Sequence, residues 1–131
     1  MNQLELLACA QKFFDEFVAA FRLFDGDIIA GRYLVPYLAF HSDGSADVFL
    51  SSADTAAYFQ RILSAYHAKG CRSCGYKELE IVPLGQRCAV ATVTWELLAD
   101  NLLVLESWRE SYTLSLVEDR FMIFTSIDHV A

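Results

Sequence analysis

Four long stretches of alternating apolar and polar residues, separated by short turns, fill the C-terminal half of this chain and restrict what it can fold into. They run over about 72–83, 87–98, 103–117 and 120–130, with turns expected at Gly85-Gln86, Asp100-Asn101 and Glu118-Asp119. Short turns join antiparallel neighbours, because a parallel return needs a crossover of a dozen or more residues. The half before them reads as helical. Leu7, Phe14, Phe17, Val18, Phe21 and Phe24 recur at three- and four-residue steps, which predicts a helix over Leu4 to Phe24. Helices first and long strands last is α+β segregation, without βαβ alternation. The expected architecture is one domain over 1–131, with amphipathic helices covering a curved antiparallel sheet around an apolar pocket.

Between these halves the signals are local. Asp25-Gly26-Asp27 stops the first helix, and Asp27 is expected to cap a short second one over Ile28 to Tyr33, ended by Val35-Pro36. Tyr37 to Phe40 and Ala46 to Leu50 predict a hairpin around Ser42-Asp43-Gly44-Ser45. Ser51 and Asp54 have capping-box spacing, and the helix they open carries Tyr58, Phe59, Ile62, Leu63 and Tyr66 before closing at Gly70.

Alternation divides the strands into two faces. If both later turns hold two residues, Val93 faces Trp108, Trp95 faces Glu106, Tyr112 faces Thr125 and Trp108 faces His129. One face then carries Ala91, Val93, Trp95, Leu97, Glu106, Trp108, Tyr112, Leu114, Phe121, Ile123, Ile127 and His129, and is the one for helices to cover. The other carries Thr92, Thr94, Glu96, Ser107, Arg109, Ser111, Thr113, Ser126 and Asp128. That Thr/Ser surface suits sheet-to-sheet packing in a homodimer, a plain solvated face being the alternative. A bulge in either hairpin would exchange the assignments.

Composition bears on partners. A hydrophobic share of 55% exceeds the typical ~45–50%, and the surplus needs a lined cavity or a subunit interface. The net charge of −7, with no Lys/Arg cluster, is unsuited to nucleic acid or an anionic membrane surface. No stretch approaches the ~20 apolar residues of a membrane span, and the N-terminus lacks the basic start of a signal peptide, so a cytoplasmic protein is expected. The cysteines are Cys9, Cys71, Cys74 and Cys88. Cys71-Arg-Ser-Cys74 has CxxC spacing, but no second ligand pair follows and it does not open a helix after a strand. Free thiols are expected, with no metal and no cofactor.

In this order of elements the chain resembles the NTF2-like superfamily, in its SnoaL-like branch. The residues that carry the likeness are Phe21-Arg-Leu-Phe-Asp-Gly-Asp27, Tyr33-Leu-Val-Pro36, the Asp43-Gly44 turn, the Ser51-capped helix, and the strands Trp108-Arg-Glu-Ser-Tyr-Thr-Leu114 and Phe121-Met-Ile-Phe-Thr-Ser-Ile127. The resemblance implies a cone, in which a bent sheet wraps round a long helix with a pocket near the helix ends, and usually a homodimer. Its members include ketosteroid isomerases, polyketide cyclases, scytalone dehydratase and limonene epoxide hydrolase, besides modules with no chemistry. No match is seen to the paired acidic residues of the isomerases or the Asp–Arg–Asp network of the epoxide hydrolases.

Three functions follow as expectations: binding of a small, largely apolar organic molecule; an isomerase, cyclase or dehydratase; or an interaction module whose cone is filled by its own side chains. The expected acid–base residues are His129, Glu106 and Tyr112, the polar groups of the covered face. Trp95, Trp108, Tyr33, Tyr37, Tyr58, Phe17 and Phe21 are expected to line the pocket. Each tyrosine also has a simpler role as a core aromatic with its hydroxyl at water. Glu106 and His129, near strand ends, can equally be solvated rim residues. The dimer contact is expected through Thr92, Thr94, Arg109, Ser111 and Thr113.

Overall fold

The computed structural model describes residues 2–130. Helix α1 spans Gln3–Phe21, opened by Asn2, whose side chain accepts from the Glu5 amide at 2.8 Å. Its apolar stripe buries Phe13, Phe14, Phe17 and Phe21. A short α2, Gly26–Ala30, follows. Its cap is Asp25, accepting from the Asp27 amide at 2.9 Å, and not Asp27 as expected. The early start presses α2 onto the third helix. A Cβ on Gly26 would lie 2.3 Å from the Ala56 carbonyl oxygen, so only glycine fits there.

Strand β1, Tyr33–Phe40, begins four residues before the expected Tyr37. Parallel pairing with the last strand recruits Tyr33 opposite Ile123, a tertiary contact that overrides the local helical signal. Strand β2, Ala46–Phe49, pairs antiparallel with β1 across a turn where Gly44 takes φ +88°. Ser51 caps α3, Ser52–Ala68, by accepting from the Asp54 amide at 3.0 Å.

The last four elements are β3 (Cys71–Leu84), β4 (Cys88–Ala99), β5 (Val104–Val117) and β6 (Arg120–Asp128), within a few residues of the expected spans. They form an antiparallel meander in a six-stranded sheet of order β2-β1-β6-β5-β4-β3, mixed only because β1 runs parallel to β6. The fold is the curved α+β sheet with N-terminal helices that the sequence predicts. Phe14 sits at its centre, fully buried, with ring centroids 5.8 Å from both Trp95 and Tyr112.

Two registers differ from expectation. The β4–β5 connection is longer than two residues: the Ala99 amide donates to the Leu103 carbonyl, and Leu102 adopts φ +67°. Trp95 therefore faces Trp108 and Val93 faces Glu110. This slip of two positions leaves the faces unchanged, since side chains alternate with period two. In the β5–β6 hairpin Glu118 and Asp119 form the expected two-residue turn, both at positive φ. Past Leu114↔Ile123 the register then jumps to Thr113↔Thr125, leaving Phe124 without a partner. The consequence is large. Beyond this bulge Ser126 and Asp128 turn inward, and Ile127 and His129 turn out.

Candidate active site

The helices and the inner sheet face enclose a partly open cavity of about 270 Å³. Phe17 and Phe21 of α1 border it, with Tyr33 and Tyr37 of β1, Tyr58 of α3, and Trp95 and Trp108 of the meander. These are the seven side chains expected around a pocket. The tyrosines are not spread round the mouth: Tyr33 and Tyr37 are buried in the wall, ring centroids 4.6 Å apart. The Tyr37 hydroxyl bonds the Ser126 hydroxyl at 2.6 Å, a contact that the bulge creates.

Of the three expected acid–base residues, only Tyr112 lies deep in the cavity. Its hydroxyl accepts from Trp95 Nε1 at 2.7 Å, and burial holds its pKa well above the ordinary tyrosine value. Glu106 is exposed at the mouth. His129 is not on the covered face and does not face Trp108. Its ring bonds Ser111 Oγ at 2.7 Å on the outer surface and reaches only the cavity's rim. The expected pair of His129 with Glu106 is therefore not formed.

The structure brings a different pair together. Glu110 and Asp128 occupy facing positions on β5 and β6, and both line the cavity. Asp128 raises the Glu110 carboxyl through its charge and through hydrogen bonding to the protonated form. A bond between two carboxyls requires a proton on one of them, because a carboxylate has no donor. Glu110 also accepts from Trp108 Nε1 at 2.9 Å, and the Tyr112 hydroxyl is a second neighbouring donor group. Burial is the main cause that pushes the Glu110 carboxyl up to about 8, and the nearby Asp128 charge adds to it. The two donors oppose that rise, because they favour the charged form. The accessible surface Glu110 retains is that of a cavity wall, so it is half-exposed by area yet enclosed by protein.

Glu110 was legible by alternation, standing between Trp108 and Tyr112 on one face. Asp128 was not, because its side depends on the unpaired Phe124.

Cys71 and Cys74 are free and buried, and burial raises both thiols, Cys74 to about 12. Reactive or metal-binding thiols need the opposite shift. No group of three or more His, Cys, Asp or Glu side chains suited to a metal occurs among the described residues. No helix among them is long and apolar enough to cross a membrane.

A cone-like sheet over a long helix, with a lined cavity inside, is the architecture of the NTF2-like proteins. The chain belongs to that family: the group described as NTF2-like protein (DUF6841) matches residues 5–130. No curated protein matches its sequence. Among solved structures, Aln2 from a Streptomyces species is similar at a TM-score of 0.79 and 10% identity, over 99% of this chain and 94% of that one. An NTF2-like protein of unknown function from Shewanella oneidensis gives 0.73 and 14%, over 94% and 98%. A cystatin-like domain of unknown function from Nostoc punctiforme gives 0.74 and 12%, over 100% and 80%. At such identities the likeness is one of fold alone.

Proposed function

We propose that this protein binds a small, largely apolar organic molecule in its cavity and moves a proton on it, as an isomerase, dehydratase or cyclase of the SnoaL-like kind. The observation that carries this reading is the Glu110–Asp128 pair on the wall of an otherwise aromatic cavity. A carboxylate oxygen of the pair takes the proton, and the carboxyl so formed gives it back. In an isomerisation the substrate C–H proton passes to the carboxylate while its electron pair moves toward a neighbouring carbonyl. The same proton returns to a different carbon, and nothing is consumed. Trp108, bonded to Glu110, is a positioning residue. A cone filled by its own side chains fits poorly with about 270 Å³ of open space, close to the ~300 Å³ where ordinary ligand pockets begin.

Solvent-deuterium exchange into enolisable aryl ketones such as propiophenone, followed by mass spectrometry, tests the reading. Exchange above buffer is expected, and Glu110→Gln is expected to slow it by about 10²–10⁴-fold. If a ketone binds but no exchange occurs, catalysis fails and binding stands.

The outer sheet face is proposed as the contact of a homodimer, through Thr92, Thr94, Arg109, Ser111 and Thr113. Two features support this. Exposed Val82, Leu105 and Ile127 are interspersed with the Thr/Ser surface, apolar area that a partner sheet would cover. Arg109 is already paired with Glu78 and Glu80, so covering it strands no bare charge. Free buried thiols suit a reducing compartment, and the cytoplasm is the location we propose.

A further inference from the structure

We propose that the molecule this cavity takes is a small organic cation, an aryl or alkyl ammonium seated against Glu110 and Asp128 with its apolar part among the aromatic walls. This rests on the reading that the cavity is a ligand site, and adds the ligand's charge to it.

The first ground is the charge inventory. Glu106, Glu110 and Asp128 line the cavity, and no Lys or Arg does so among the described residues. Arg109 is adjacent to Glu110 in sequence but points to the opposite face, where Glu78 and Glu80 hold it. Among the described residues no Lys or Arg side chain of the lining neutralises the pair. Burial and the nearby Asp128 charge raise the Glu110 carboxyl, and a bound ammonium would take the place of its proton as counter-charge. An anionic ligand would add a third negative charge to a desolvated site.

The second ground is the wall. Tyr66 and Trp108 meet with ring centroids 6.4 Å apart, Tyr33 packs on Tyr37, and all four line the cavity with the carboxyls. Aromatic faces attract cations through the ring quadrupole, most strongly when water is excluded. Such rings serve a neutral apolar ligand equally well, so it is their combination with uncompensated carboxyls that selects a cation. The volume, about 270 Å³, limits the ligand to something like one ring with a short amine. The net charge of −7 favours encounter with cations.

A signature in pH follows. Facing Glu110 are Asp128 from β6, Tyr33 and Tyr37 from β1, and Tyr58 and Tyr66 from α3. Glu106 and His41 stand at the mouth and His129 at the rim, while Tyr112 adjoins Glu110 from the same strand. Every tyrosine named here is raised by burial, so across neutral pH none of them supplies charge. Binding of a cation then expels the Glu110 proton, and affinity rises by up to about tenfold per pH unit until Glu110 is ionised.

The chain has two tryptophans, Trp95 and Trp108, and both line the cavity, so intrinsic fluorescence reports occupancy. The probes are benzyltrimethylammonium and its uncharged isostere neopentylbenzene, titrated at about pH 6 and about pH 8. The expected result is that the cation binds at least about tenfold tighter than the isostere at the higher pH, and weakens at the lower. Glu110→Gln and Asp128→Asn are expected to remove most of that pH dependence, and the native titration stands if either variant misfolds. An isostere that binds as tightly as the cation overturns the inference and leaves the ligand site intact. Cation binding that is independent of pH also overturns it, as mere attraction to an acidic protein. If neither probe is bound, the ligand site fails with it.

Discussion

Glu110 and Asp128 meet across β5 and β6 because one residue, Phe124, has no partner on the neighbouring strand. Without that bulge the two-residue turn at Glu118-Asp119 would set Ile127 and His129 against the cavity, and both members of the pair would not share a face. The bulge thus decides which polar group joins Glu110.

The neighbours of Glu110 act on it in opposite senses, and single substitutions should separate them. Asp128→Asn removes the charge that helps raise the Glu110 carboxyl, and its titration midpoint is expected to fall by about one unit or more. Trp108→Phe removes a donor that favours the charged form, and the midpoint should rise. Shifts of the same sign, read by carboxyl-carbon NMR, would contradict the assignment.

Stability should carry the same imprint. Folding holds the Glu110 carboxyl at about 8, above the ~4.3 of an unfolded chain. Between those values the native state keeps a proton that the unfolded state has lost, so this group's contribution falls as pH rises. It is fully present below about pH 4.3 and lost above about pH 8. Glu110→Gln never ionises, and its stability relative to the native protein is expected to grow across that window. Denaturant melts at several pH values measure the gap, and a constant gap would refute the linkage.

Gly26 is fixed by contact. Its Cβ position is 2.3 Å from the Ala56 carbonyl and 2.9 Å from the Gln60 amide, both backbone atoms of α3. Gly26→Ala should push α2 off α3 and disturb the bond from the Gly26 amide to Gln60 Oε1 at 2.8 Å. A loss of about 1–3 kcal/mol in urea unfolding is expected, and an unchanged midpoint would rule out the close approach.

The outer face predicts a dimer. Light scattering at micromolar concentration is expected to give twice the chain mass, and Thr92→Arg, at the centre of that face, to give the monomer. A native monomer would remove the proposal. Thr92 bonds Ser111 at 2.7 Å within the face, so the substitution leaves the cavity side untouched.

Most of the fold was legible because it rests on local periodicity and turn chemistry. The alternation in β3 to β6, the phenylalanine stripe of α1 and the Ser51 cap each express themselves over a few residues. The early start of β1 was not, since Tyr33 becomes a strand residue only by pairing with Ile123, distant in sequence. The site divided along the same line. The aromatic walls and Tyr112 follow from alternation alone, and so does Glu110. The places of Asp128 and His129 depend on one unpaired residue, and nothing about Phe124 or Thr125 in the sequence announces it.

The raised Glu110 carboxyl beside Asp128 is the central claim. A carboxyl-carbon NMR titration of the native protein, with Glu110 assigned through Glu110→Gln, measures it directly. The predicted result is an apparent midpoint of about 8 for Glu110. A Glu110 midpoint near the ordinary ~4.3 would show two independent carboxylates, and would contradict both the acid–base reading and the packing from which it is drawn.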